Sequence, residues 1–254
     1  MKLEIAVTSA AGAGTSAAEG AERVELCSSL ELGGITPSQG LLEASLEHAD
    51  GRLEVHALVR PRPGDFHYSA SDVDTMVHEV KHLLRGGADG VVVGALTPGQ
   101  DVDVPVVQRL LDSARETKPD AQLTFHRAID QSRDPMAALE LLLDLGFTRV
   151  LTSGHEAAAG AGLAMLRRMV ERAGNAMDIM AGGGLRLSDI PAMKNAGLSA
   201  VHLSAKRVIS TLAGPVVSLG SGDGLDPTAY TVTDRRTVRA ARAAVNAVNI
   251  PGAQ

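Results

Sequence analysis

Acids, imidazoles and guanidiniums recur at alternate positions of short apolar runs, a spacing that puts them on one side of a strand. In Arg23–Cys27, Glu25 and Cys27 share a face; in Leu53–Arg60, His56 and Arg60 do; in Gln122–His126, Thr124 and His126; in Ala200–Ser204, His202 and Ser204. Glu4 is the out-of-pattern residue of Leu3–Val7. Facing inward, these residues bring carboxylates, imidazoles, a guanidinium and a thiol to one axis. Carboxylate and imidazole can move protons, and guanidinium can stabilise developing negative charge. Buried charges of both signs are costly unless paired. Glu25, Arg60 and His126 are therefore the expected catalytic group. Glu25 or His126 is the acid or base and Arg60 the stabiliser, with Glu25 hydrogen-bonded to Arg60.

Three loops carry further polar groups. Arg60-Pro-Arg-Pro-Gly-Asp65-Phe-His-Tyr68 is stiffened by two prolines and presents Arg62 and Asp65 beside aromatic rings. Arginines there suit bidentate recognition of a carboxylate or phosphate, although an Arg62–Asp65 bridge that merely pins the loop is an equally direct reading. Phe125-His126-Arg127 leads to Asp130. Gly182-Gly183-Gly184 follows one apolar run, and Ser204-Ala-Lys206-Arg207 the next. Glycines let backbone N–H groups approach a ligand closely. The expected anion-binding set is Arg62, Asp65, Arg127, Gly182, Gly183, Gly184, His202, Ser204 and Lys206, with Arg207 assisting.

The elements that must position these groups are eight short strands: Leu3–Val7, Arg23–Cys27, Leu53–Val59, Gly90–Ala95, Gln122–His126, Arg149–Thr152, Asp178–Ala181 and Ala200–Ser204. Helical periodicity fills most gaps. In Asp72–Leu84, Val73, Met76, Val77, Val80, Leu83 and Leu84 recur at helical spacing, and Val104–Ala114 and Met136–Leu145 behave alike. Asp134-Pro135 and Ser188 read as helix starts, Gly146 and Gly197 as C-caps. Alternating strands and helices imply parallel pairing with right-handed crossovers. Eight units in 254 residues predict an α/β fold, a single (β/α)8 TIM barrel spanning residues 1–254. Active sites of that fold lie at the C-terminal face, often with a phosphate site after the seventh and eighth strands. Ala205–Thr231 reads as a long Gly-rich loop without structure of its own, lying over that face and leading to a final helix at about Asp234–Asn246. An open doubly wound sheet is disfavoured because no Gly-rich dinucleotide turn follows the first strand.

Composition limits the function classes. Lys and Arg total 24 against 30 Asp and Glu, a net charge of −6, which argues against a nucleic-acid or anionic-membrane binder. No apolar run is long enough for a membrane span. Glu4 breaks the apolar stretch that a signal peptide needs, so a cytoplasmic address is expected. One cysteine, Cys27, excludes an intrachain disulfide and any CxxC motif. With three Phe, two Tyr and no Trp, aliphatic residues and Ala must fill the core.

Six stretches resemble one family. GAERVELCSSLELGGITPS (20–38), VHALVRPRPGDFHYS (55–69), LTFHRAID (123–130), RVLTSG (149–154), IMAGGGLR (179–186) and VHLSAKR (201–207) are similar, in order and along nearly the whole chain, to the CutC family, long described as copper homeostasis proteins. The resemblance implies a TIM barrel, a cytoplasmic location, a homo-oligomer and copper binding. It implies no established reaction. Cu(I) favours thiolate and thioether ligands, and relatives often carry further cysteines, including in the first strand. Here that strand reads LEIAVTS, leaving Cys27 as the only thiolate for Cu(I). Two readings stand: a copper-binding protein, and an enzyme acting on a small anionic metabolite, phosphorylated or not, at the barrel mouth.

Overall fold

The computed structural model describes residues 1–210 and 228–247. Eight parallel strands close into a barrel in chain order: β1 (Lys2–Val7), β2 (Arg23–Leu26), β3 (Glu54–Leu58), β4 (Gly90–Val93), β5 (Gln122–Phe125), β6 (Arg149–Thr152), β7 (Asp178–Ala181) and β8 (Ala200–Leu203). Closure sets Glu4 of β1 against His202 of β8. Helices α1 (Ala10–Ala18), α2 (Gln39–Ala49), α3 (Ala70–Arg85), α4 (Val104–Thr117), α5 (Pro135–Asp144), α6 (Leu163–Ala173) and α7 (Ile190–Asn195) fill the crossovers, and α8 (Arg235–Asn246) completes the ring. The TIM barrel expected from the sequence is the observed architecture.

Local chemistry explains where the helices begin and end. Asp134 accepts hydrogen bonds from the N–H groups of Met136 and Ala137, so α5 starts at the expected residue. Ser69 and Asp72 cap α3 reciprocally. Gly146 and Gly197 follow α5 and α7 with φ of +76° and +83°, a conformation that favours glycine. Ser188 does not start α7. It lies inside a 3₁₀ turn, Leu187–Asp189, anchored by Arg186 and Asp189.

The strand residues divide by parity. Leu3, Ile5 and Val7, Val24 and Leu26, Val55 and Ala57, Val91 and Val93, Leu123 and Phe125 belong to one core between sheet and helices. In the barrel interior, the described apolar residues form two small groups, Cys27–Leu58–Val92 and Leu151–Met180–Ala200. Polar side chains supply the rest: Glu4, Arg23, Glu25, His56, Thr124 and Arg149 are all buried. Arg23 and Arg149 head the largest fully buried side chains, their long stems doing the filling that larger apolar groups do elsewhere.

The segment after β8 departs from expectation. Its described ends are not loop: β9 (Lys206–Ser210) pairs antiparallel with β10 (Ala229–Thr233), Lys206 opposite Thr233. β-Branched residues on both strands, Val208 and Ile209 on one and Thr231, Val232 and Thr233 on the other, favour such pairing. The Gly-rich middle, 211–227, lies outside the described residues.

Candidate functional site

Cys27, Arg60, His126 and Ser204, read as strand residues, lie just beyond the strand ends, where the chain turns out of the barrel. A cavity of about 370 Å3 opens there. Glu25 enters it from β2, Arg60 from beyond β3, His126 from beyond β5, and His202 from β8, while Leu58 and Leu151 give it apolar wall. Strand alternation thus places Glu25, Arg60 and His126 around one space.

Their partners differ from expectation. Glu25 and Arg60 make no hydrogen bond. Arg60 donates instead to the carbonyls of Leu32 (3.2 Å), Gly34 (3.0 Å) and Gly64 (2.7 Å). Its guanidinium ties the loop after β2 to the loop after β3 and stacks over Phe66, 5.0 Å from the ring centre. Carbonyl groups compete well for a buried guanidinium because they satisfy it with little desolvation of another ion. Glu25 faces His202, with 3.8 Å between Oε2 and Nε2.

His202 is itself held from below. Its Nδ1 lies 2.7 Å from Oε1 of Glu4, whose other oxygen accepts from Arg23. Arg23 also reaches Glu54 and the sulfur of Met180. Burial opposes Glu4's charge, but Arg23 and His202 outweigh it and hold the carboxyl far below the usual range. Burial also opposes a charged His202; the Glu4 bond and Glu25 overcome it and raise the imidazole above its ordinary value. Glu25 has no such support. Burial pushes its carboxyl up to about 6, with His202 working against the shift and Glu4 adding to it. A carboxyl in that range exchanges protons readily near neutral pH.

His126 is shifted the opposite way to His202. Burial, with the positive charge of Arg60 added, drives it down to about 3. Its Nδ1 accepts the N–H of Ala128 at 3.1 Å, and its ring lies 4.7 Å from Phe66. His126 Nε2 and Arg60 Nε are buried and have no partner among the described residues. Each buried donor left unpaired costs about 1–3 kcal/mol.

The far wall is positive and backbone-lined. Gly183 and Gly184 adopt φ of +89° and +59°, and their N–H groups engage none of the described residues. Arg127, Ser204 and Lys206 border the same space. Asp130 organises this wall. It accepts from Arg127 Nε (2.8 Å), Thr152 Oγ1 (2.6 Å) and the N–H groups of Ser153 and His155. The guanidinium of Arg127 consequently lies flat on Gly183, where a Cβ would sit 2.5 Å from its Cζ.

Four residues grouped with the anion set are placed elsewhere or serve otherwise. Arg62 and Asp65 bridge each other at 2.9 Å on the outer loop, with Arg62 stacked on Tyr68, outside this cavity. Gly182 donates to Thr152 O at 3.0 Å, and a Cβ there would meet Leu151 at 2.6 Å, so it serves packing. Arg207 turns to Asp234 at 3.7 Å. The residues that the sequence reading missed are Arg23, Arg149 and the organising part of Asp130. Parity alone could have flagged the two arginines, which sit two positions before Glu25 and Leu151.

With the geometry established, comparison gives the family. The CutC family model matches residues 1–207. A family protein CutC from Chromobacterium violaceum is 41% identical over 249 residues, 96% of this chain and 98% of its own. Another, from Vibrio atlanticus, is 38% identical over 231 residues, covering 90% and 92%. The chain belongs to the CutC family. A crystal structure from Streptococcus agalactiae, described provisionally as a copper homeostasis protein CutC, matches with a TM-score of 0.74 and 26% identity over 80% of this chain and 98% of that one. A thiamine phosphate pyrophosphorylase from Pyrococcus furiosus, at 14% identity and a TM-score of 0.57, shares the fold.

The CutC name implies a role in copper homeostasis, so the soft donors bear on it directly. Cys27 is fully buried among Leu58, Val92 and Leu30. Among the described residues its Sγ has one polar contact, Val7 O at 3.8 Å. Burial, with Glu25 and Glu31 nearby, pushes the thiol well above its ordinary value, the reverse of what a thiolate ligand needs. Met180 Sδ accepts from Arg23. Among the described residues, no three His, Cys, Asp or Glu side chains are grouped to hold a metal ion. These surroundings do not fit Cu(I).

Proposed function

We propose that this CutC family protein is an enzyme that binds and turns over a small anionic, phosphorylated metabolite at the C-terminal mouth of its barrel. One observation carries the reading. A single cavity sets the N–H groups of Gly183 and Gly184, unpartnered among the described residues, with Lys206 and Ser204, across from the buried Glu25–His202 pair. Free N–H groups in positive-φ turns cradle phosphate oxygens, and the loops after β7 and β8 are where barrels place that group. Lys206 is exposed, which suits recognition of charge. Glu25 serves as the proton-transferring group. Cys27 takes no part, and copper is not held there. A reducing, cytoplasmic compartment and a homo-oligomeric assembly complete the proposal.

The test is thermal unfolding in phosphate against chloride at matched ionic strength. Phosphate at 100 times its Kd should stabilise the fold by about 2.7 kcal/mol, or about 5 °C or more for a chain of this size. Lys206→Ala should shrink that gain. Identical melting in the two salts would overturn the reading.

A further inference from the structure

The Glu25–His202 pair presents the cavity with one acceptor and one donor at a fixed spacing. Glu25 Oε2 and His202 Nε2 stand 3.8 Å apart, too far for a direct hydrogen bond. Both side chains line the cavity and keep 9% and 11% of their surface open. Neither atom has a hydrogen-bond partner among the described residues, and neither is sealed off as Arg60 Nε and His126 Nε2 are. His202 turns Nε2 to the cavity because its Nδ1 is committed to Glu4 at 2.7 Å. Glu4 stays ionised against its burial because Arg23 and His202 face it, so Nδ1 carries a hydrogen. Burial opposes a second hydrogen, on Nε2, but the Glu4 bond and Glu25 favour it.

We infer that the Glu25–His202 pair recognises one alcohol hydroxyl of the ligand, so that the site takes a short hydroxylated alkyl phosphate. The inference rests on the anion-binding reading above and names the ligand's class. An oxygen about 2.8 Å from Oε2 and about 2.9 Å from Nε2 bridges a gap of this width. A hydroxyl there donates to the Glu25 carboxylate and accepts from the Nε2 hydrogen. When the proton sits on Glu25 instead, the two roles exchange and the hydroxyl still satisfies both groups, because it carries one donor and two acceptor lone pairs. Other groups do not. A ligand carboxylate meets the charge of Glu25, a carbonyl has no hydrogen for Glu25, and an ammonium has no lone pair for Nε2.

The position of the pair sets the length of the ligand. The ring of His202 lies against the glycine turn: a Cβ at Gly182 would stand 3.2 Å from His202 Cδ2. Gly182 immediately precedes Gly183, so a short carbon chain joins a phosphate on the turn to a hydroxyl at the pair. The cavity volume of about 370 Å3 is near the lower end of the range of about 300–1,000 Å3 for ligand pockets. That size suits a few carbons better than a nucleotide. Leu58, Leu151 and Phe66 supply apolar wall for their C–H groups.

The experiment measures binding to the full chain by titration calorimetry at neutral pH, with probes matched in carbon number. sn-Glycerol 3-phosphate is compared with n-propyl phosphate, and 2-hydroxyethyl phosphate with ethyl phosphate. The hydroxylated member of at least one pair should bind about 10-fold or more tightly, as a hydrogen bond to charged groups provides. Glu25→Leu should erase that preference, and Glu25→Gln, which keeps an acceptor and a donor, should retain part of it. In the parent, the Nε2 nitrogen resonance of His202 should move with the preferred hydroxylated probe and not with its alkyl partner. Equal affinities within both pairs, with phosphate stabilisation intact, would overturn hydroxyl recognition and leave anion binding standing. A preference that survives in folded Glu25→Leu, or an unmoved His202 resonance, would also overturn it. Failure of inorganic phosphate and of all four esters to bind would remove both readings.

Discussion

Glu4 Oε1 lies 2.7 Å from Nδ1 of His202, although 198 residues separate them in the chain. The bond turns the far nitrogen of His202 toward Glu25 at the cavity floor. The other Glu4 oxygen neutralises Arg23, which is fully buried. Two strands that meet only when the barrel closes therefore share one carboxylate between structure and site.

Glu4→Gln should test that double duty. Removing one member of a buried ion pair leaves the other charge stranded, at a cost of about 3–5 kcal/mol. Urea unfolding at neutral pH is the measurement. A loss below about 1 kcal/mol would show that Glu54, 3.4 Å from Arg23, compensates by itself.

Stability near neutral pH should fall as pH rises. Glu25 binds its proton more tightly in the native state than in the unfolded chain, with a native value of about 6 against 4.5. Its contribution is present below the unfolded value and is lost as pH rises through the native one. His202 is raised as well, so it adds loss in the same direction above its unfolded value. Glu25→Gln, which has no charge to bury, should be more stable than the parent at pH 8 by about 2 kcal/mol and nearly equal to it at pH 4. An equal difference at both pH values would mean that the carboxyl titrates alike folded and unfolded.

Gly183→Ala should disturb the positive wall. The added Cβ meets Arg127 Cζ at 2.5 Å, and the backbone there has a φ of +89°. Strain of this kind costs about 1–3 kcal/mol, and Arg127 must leave its place over the turn. Melting with and without phosphate should show both a lower baseline and a smaller phosphate gain. An unchanged gain would place the anion away from Gly183.

Copper should be indifferent to Cys27. At equal folded fraction, Cys27→Ser should leave Cu(I) affinity under chelator competition unchanged. It should lower stability by about 1–3 kcal/mol, because a hydroxyl replaces a thiol between Leu58 and Val92. A sharp loss of affinity would make Cys27 a thiolate ligand after all.

Period-two alternation and eight strand–helix units were readable in the sequence, because each depends on local spacing and on the burial of one strand face. They fixed the barrel and put Glu25, His126 and His202 on inward faces. The choice of partners was not readable. Glu25 meets His202 rather than Arg60 because the carbonyls of Leu32, Gly34 and Gly64 satisfy the guanidinium first. Those carbonyls belong to two loops whose path depends on packing across neighbouring units. Likewise the hairpin of β9 and β10 needs two segments on either side of 211–227 to find each other. Local periodicity decides which way a side chain faces. Which group it meets depends on chain closure over many residues and on competition among hydrogen-bond partners, and only the tertiary structure decided that.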